Sequence, residues 1–553
     1  MVDKRPTTQL RRPRGVPPLR QPAVSDGPHI SMAFPPGQVL NSLLSLIVVA
    51  SLLACSSSNP SQPGPDELVG HPEATATQSD APPRSTGTFW VHLTPEPTHL
   101  DVRLRLLTPP KHTTFFLPDQ WAGIDDLGDQ IEIKAARTDT GPLPIEIDGP
   151  NQRIELRPGE AQWVDIHYRV VTQSSPSSSA FHPWSSDAAF FAFGPTILLL
   201  PSASIARSLR DIPIEVDLPE GWQVATTWPS ADPETVSPHT FIAPDLQALR
   251  DAYIGAGDQW EAHLTRLDDR PMHWVFSDGF AFDHQRLMDD ARPLLEAYLH
   301  QFGYYDQFSA LLKPLANESS DPLRGTGRHG GFVLHLAPST SLDDDLRILL
   351  AHEALHMWNG HLVVPAADAR SDVQWFKEGV THYIAIKTLA RLELIEPSTL
   401  RRELATAAQF YRHNPLVTGG PARPIDHTRL PYDKGLLIAA DLDRALWQAS
   451  DGKLQIEDWL KALLQPPFKE ASRHYDLNLL RESFFWLTDS YPHLHAHYRH
   501  ILNASLDIER IFRDMGLHYL EARPDRPARV SPIDDPDAAY PHLFYPHQPQ
   551  ESP

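Results

Sequence analysis

An α+β multidomain chain, with a β-sandwich-like first half and a mostly helical second half, is what the hydrophobic periods of this sequence predict. Three observations carry that reading. Apolar residues alternate through residues 88–268, the period of strands with one buried face. From 269 to 523 they recur every three to four positions, the period of helices. Residues 56–87, rich in Ser, Pro, Thr and Gly, lack either period, and the composition after Arg523 turns Pro-rich.

At the N-terminus, Leu43 to Ala54 is a twelve-residue apolar-dominated run. A membrane span needs about twenty such residues, so the run suits the core of a signal peptide. Basic residues precede it (Lys4, Arg5, Arg11, Arg12, Arg14, Arg20), and Leu52-Leu53-Ala54-Cys55 resembles a bacterial lipobox. Residues 1–54 are therefore expected to be a lipoprotein-type signal peptide, with Cys55 lipidated and the chain held to a membrane by that anchor. An uncleaved signal anchor is the competing reading, and translation from Met32 in place of Met1 would leave no positive side chain before the run. Ser56 after the cysteine, by analogy with Gram-negative lipoproteins, directs the expectation to the periplasmic face of the outer membrane. Residues 55–87 read as a flexible tether and 524–553 as a Pro-rich disordered tail. Cys55 is the sole cysteine, so no internal disulfide is available. A net charge of -22 and a pI of about 5.6 argue against nucleic-acid binding.

Strands of the domain expected over 88–268 are marked by Val102, Leu104 and Leu106, by Ile131 and Ile133, by Ile145 and Ile147, by Ile154 and Leu156, and by Val164, Ile166, Tyr168 and Val170. Asp148-Gly149-Pro150-Asn151 makes a turn between two of them. Helices then follow. Leu287, Ala291, Leu294, Leu295, Tyr298 and Phe302 form one stripe, which reads as core. Ser341 to Gly360 reads as a second helix, with Ser341 and Asp344 as a capping box, Asp343 to Asp345 at its positive end, Asn359-Gly360 at its exit, and Leu342, Leu346, Leu349 and Leu350 on its buried face.

That helix carries His352-Glu353-Ala354-Leu355-His356. Two histidines four apart share a helix face and can converge on one ion, while the intervening glutamate points about 100° away, where it can meet a water instead. At this composition the pattern arises by chance in roughly one such chain in ten, so alone it decides little. A second element changes the odds. Val373 to Leu392 reads as another helix, and Glu378 within Trp375-Phe376-Lys377-Glu378-Gly379 is positioned to be a third ligand from a neighbouring element. A third element, Pro431-Tyr432-Asp433-Lys434-Gly435, is expected to open a helix that stops near Gly452, and further helices fill Ile456 to Asp514.

With these residues assembled, the chain resembles the gluzincin zinc metallopeptidases, and among them most the glycyl aminopeptidase family. The resemblance rests on His352-Glu353-x-x-His356-x-Trp358-Asn359, on Trp375 to Thr381 and on Tyr432-Asp433-Lys434-Gly435, with weaker similarity at Leu218 to Trp222 and Ile508 to Leu517. It implies a thermolysin-like catalytic domain over 269–523 behind the N-terminal β domain, one Zn2+ held by His352, His356 and Glu378, Glu353 as general base and then acid, and Tyr432 as oxyanion donor. The substrate implied is a peptide or protein, the setting the bacterial cell envelope. Whether cutting is terminal or internal, and the oligomeric state, stay open. The terminal PDZ domain common in the family has no room in the roughly thirty residues after Leu520.

One departure stands out. Such aminopeptidases carry Gly-Gly-Leu-Glu-His or Gly-x-Met-Glu-Asn before the metal helix, and its acid holds the substrate amine. Here Gly330-Gly331-Phe332-Val333-Leu334-His335 puts Val333 at that acid, and an apolar residue cannot pair with an ammonium. Gly330, Gly331, Phe332 and Val333 are expected to bind substrate along an edge strand, by main-chain pairing. Arg328 and His329 before them are candidates to meet a carboxylate; a Gly-rich loop with solvated basic residues is the bland alternative. A catalytically inactive peptide-binding lipoprotein on the same scaffold is the competing function.

Overall fold

The computed structural model describes residues 89–533 apart from short breaks, the longest at 176–180 and 316–322. The expected signal peptide (1–54), the lipidation site Cys55, the tether (55–87) and residues 534–553 lie outside the described residues. No helix among the described residues is long and apolar enough to cross a membrane.

Alternation in the first half builds a seven-stranded sheet in which Phe89–Glu96, His99–Leu107 and Trp163–Val171 form successive antiparallel ladders. Val91, Leu93, Val102, Leu104, Ile166 and Tyr168 share its inner face and are fully buried. Opposite them lie two four-stranded sheets, contributing Phe115, Ile154, Val224 and Ile254 to the same core. Two apolar faces closed on one another make a sandwich. Of the pair Ile145 and Ile147, Ile145 packs partly buried against that core, but Ile147 is 58% exposed, because its strand Glu146–Asp148 is the outermost of its sheet.

The second half starts earlier than residue 269. Strand β1 (Glu261–Leu267) pairs antiparallel with β2 (Arg270–Phe276), which runs parallel to β3 (Phe308–Pro314). The hairpin of β4 (Leu323–Arg328) and β5 (Gly331–Leu336) completes a five-stranded sheet in the order β1-β2-β3-β5-β4. Strand β5 is therefore interior, and β4 is the edge.

Helix α1 (His284–Phe302) and helix α2 (Asp344–Leu355) cover one face of this sheet. Leu346, Ile348, Leu349, Leu350, Ala351, Ala354 and Leu355 are buried all around α2, as in a helix at the centre of a core. Its N-cap is Asp343, which accepts from the Asp345 and Leu346 amides; Ser341 does not cap but donates to the Asp343 carboxylate at 2.7 Å. After it come α3 (Thr381–Arg391), α4 (Pro397–His413), α5 (Pro424–Ala449) and α6 (Ile456–Leu463). Helix α5 starts seven residues before Pro431, which sits inside it, because Pro424 and the Asp426 carboxylate on the Arg423 amide supply an earlier start. Within the tail expected to be disordered, Arg529–Pro532 pairs antiparallel with Leu517–Leu520 and Val530 packs on the core. Four residues with one apolar contact leave no readable period.

Candidate metal centre

His352 lies in the last turn of α2 and His356 at its C-cap, so the four-residue spacing brings both rings to one side. Glu378 arrives from a single π-helical turn, Trp375–Val380, between a short helix (Arg370–Gln374) and α3. Such turns concentrate at functional sites because they re-aim a side chain without ending the helix. Here Glu378 Oε2 lies 3.1 Å from His356 Nε2 and 3.4 Å from His352 Nε2, and the two ring nitrogens are 2.9 Å apart. Ligand atoms around a tetrahedral zinc stand about 3.3 Å from one another, so the triangle has the dimensions of three corners of that tetrahedron. All three residues are buried, and two imidazoles plus a carboxylate are a donor set suited to zinc.

The residues behind these donors fix their orientation. His356 Nδ1 donates to the Asn359 carbonyl at 2.9 Å, which leaves the Nε2 lone pair facing inward. Lys377 Nζ and Gln374 Nε2 both donate to Glu378 Oε1, at 3.0 and 3.1 Å, so the other carboxylate oxygen is the one presented. Burial alone would raise the Glu378 pKa, but Lys377 and the two histidines hold it well below the usual carboxylate range. Burial, together with the neighbouring His356, pushes His352 down to about 3, so its ring is neutral and available as a ligand at physiological pH.

Glu353 is buried beside the triangle, and its Oε2 accepts the Gly327 amide at 2.7 Å. Two glycines of the edge strand make that approach possible. A Cβ at Gly325 would stand 2.3 Å from Glu353 Cγ, and one at Gly327 would stand 2.5 Å from His356 Cβ. Tyr432, in the third turn of α5, lies with its ring nearly parallel to that of His352, centroids 5.9 Å apart.

Residues 90–258 match the family model of the peptidase M61 N-terminal domain, and residues 345–419 match that of the M61 glycyl aminopeptidase. Both halves of the chain thus match models of one family, the M61 glycyl aminopeptidases, which are gluzincins. The chain is a gluzincin zinc metallopeptidase. Among solved structures it resembles an aminopeptidase N family protein from Idiomarina loihiensis, with a TM-score of 0.66 at 18% identity over 79% of this chain and 80% of that one, which shows a shared fold. An M1 zinc metallopeptidase from Deinococcus radiodurans aligns with a TM-score of 0.49 at 17% identity, over 76% of this chain and 93% of that one. No curated protein matches the chain.

Within this zinc metallopeptidase, the four residues expected to bind substrate along an edge strand lie in a turn and an interior strand. Gly330 is the turn of the β4–β5 hairpin at φ +77°, Gly331 begins β5, and Phe332 and Val333 are fully buried in that interior strand. Phe332 joins the helix-side core, and Val333 faces the β domain. The Gly-Gly pair misled because it marks a hairpin, whereas the edge beside the metal helix is Leu323-Arg324-Gly325-Thr326-Gly327-Arg328. No acid lies on that strand. Arg328 is buried with its guanidinium over Trp121 at 4.7 Å and Phe193 at 4.9 Å. His329 is also largely enclosed, and burial lowers its pKa.

Several site residues escaped the sequence reading. Asn359 looked like a helix exit, yet its Nδ2 donates to the Phe376 carbonyl and Thr381 Oγ1 while Oδ1 accepts from Tyr475. Gly379 and Gly435 looked like motif punctuation. A Cβ at Gly435 would meet the Trp375 carbonyl at 2.2 Å and Gly379 Cα at 2.9 Å, so the two glycines are where α5 crosses the Glu378 turn. Their recurrence inside both motifs was the available signal.

Proposed function

We propose that this metallopeptidase hydrolyses peptide bonds with His352, His356 and Glu378 as the three ligands of one zinc ion, Glu353 as general base and then acid, and Tyr432 as oxyanion donor. The observation that carries the reading is the convergence of three donor atoms from two elements to within 2.9–3.4 Å of one another. When bound there, zinc would acidify a water to a pKa of about 7 and polarise the scissile carbonyl.

The chain's own groups supply the rest. The Gly327 amide stabilises the ionised form of Glu353, the form that takes a proton from water during attack; the same carboxyl then passes it to the leaving amine. The stacking of the Tyr432 ring near that of the ligand His352 supports the reading of its phenol as the oxyanion donor. Burial of every member keeps the field between these groups strong. Since the edge strand offers no acid to a substrate ammonium, the reading extends to cleavage without selection for a free amino terminus. Delivery to the cell envelope through lipidated Cys55 belongs to the same proposal and rests on the lipobox-like sequence.

The test is hydrolysis of paired free and N-acetylated peptides before and after chelation. Activity should vanish with the metal, return with zinc, and differ little between the paired peptides. Glu353→Gln should lower kcat by about a hundred- to ten-thousandfold with zinc content unchanged. Chelator-resistant cleavage would sink the assignment.

A further inference from the structure

A second group of ligand-type side chains sits on elements that the catalytic centre does not use. Glu261 and His263 are two apart on β1 and so share one face of the strand. His284 is the first residue of α1. One donor atom from each lies within 4.8 Å of the others. The Glu261 carboxylate spans both rings, with Oε2 at 2.8 Å from His284 Nδ1 and Oε1 at 3.3 Å from His263 Nε2.

The rings are held by packing as well. Phe276, opposite Glu261 in the β1–β2 ladder and fully buried, stacks face to face on His284 with centroids 4.0 Å apart and 6° between the planes. The same ring meets His263 edge-on at 5.8 Å. His263 Nε2 is buried without a hydrogen-bond partner among the described residues; its contact with Glu261 lacks hydrogen-bond geometry. A carboxylate merely pairing with partly exposed histidines stabilises by about 1 kcal/mol at most, and it leaves that nitrogen unsatisfied.

We propose that Glu261, His263 and His284 bind a second divalent transition-metal ion of the zinc class, which clips the β1–β2 hairpin to the start of α1. Two imidazoles and one carboxylate select such ions over calcium or magnesium, which prefer all-oxygen shells. The exposed side of Glu261 leaves room for water to complete the coordination. The clip stands apart from the reaction but supports its scaffold, because α1 packs on α2 and Tyr298 donates to the Ala351 carbonyl one residue before His352.

Full-length protein equilibrated with zinc and dialysed against buffered zinc should retain two equivalents per chain by elemental analysis. The His263→Ala/His284→Ala double variant should retain one, with peptide turnover within about twofold of the parent. Glu261→Gln, a neutral replacement at a largely exposed position, guards against misfolding of the double variant and should weaken the second equivalent by at least tenfold in a zinc titration. A parent that keeps a single equivalent, or variants that keep as many as the parent, overturns the second site while leaving the catalytic assignment intact.

Discussion

Asn359 decides more about this centre than its type suggests. Its amide reaches the Phe376 and Lys377 carbonyls, which the π turn frees from ordinary helical pairing, and its own carbonyl orients His356. One residue therefore links both halves of the ligand set, by its backbone to His356 and by its side chain to the Glu378 turn. Asn359→Ala would leave those buried carbonyls and the Tyr475 hydroxyl unpaired, at about 1–3 kcal/mol of stability. Zinc affinity should fall roughly 10–100-fold, as for other residues that orient ligands from behind, measured by competition with a chromophoric chelator. An unchanged affinity would mean that packing alone sets the Glu378 turn. The ligands themselves were legible at this scale because helical spacing is local arithmetic. Asn359 was not, since its side-chain partners lie 17 to 116 residues away and nothing in the intervening sequence announces the pairing.

Among elements, the crossing of α5 with the π turn brings Glu378 and Tyr432 to the same centre. Backbones meet at Gly379 and Gly435 with no room for a methyl group. Gly435→Ala should therefore cost about 1–3 kcal/mol in denaturant unfolding and loosen zinc by displacing the turn. Gly149→Ala, where the added carbon meets nothing within 4 Å, is the control and should fall within about 0.5 kcal/mol of the parent. Behind the crossing, Lys387 on α3 bridges Asp443 on α5 at 2.7 Å and Glu457 on α6 at 2.8 Å, and Tyr383 donates to Asp443 at 2.9 Å. This buried network ties three helices together in one arrangement. The helices were readable as periods, but their limits were not: Pro431 marks a start in sequence terms, and tertiary packing carries α5 through it.

At the scale of the molecule, the sandwich and the five-stranded sheet share a layer of aromatic residues with cations set into it. Lys313 on β3 is 2% exposed, with its ammonium 4.5 Å from the centre of the Phe191 ring and 5.7 Å from that of Trp184. Burial lowers its pKa to about 7. In the unfolded chain the same group titrates near 10.4, so between these values the unfolded state binds a proton that the folded state has released. Stability must then rise with pH across that window. Relative to Lys313→Met, the parent should gain on the order of a few kcal/mol between pH 7 and 10, read from paired denaturation curves. A pH-independent difference would show that the cation–π contacts fully offset the burial.

Period and spacing determined the two-part architecture and marked both histidines, Glu353 and Glu378 as candidates, because each is written within a few turns of one element; the role of Tyr432 and the family came from resemblance to known motifs. Only the tertiary structure decided which strand borders the metal helix. A one-dimensional pattern marks strands but not their order in a sheet, so Gly330-Gly331 looked like the cleft while hydrogen bonding placed β5 inside and Gly325 and Gly327 at the edge. The same limit hid Glu261, His263 and His284, whose approach depends on a helix start folding back over a hairpin edge.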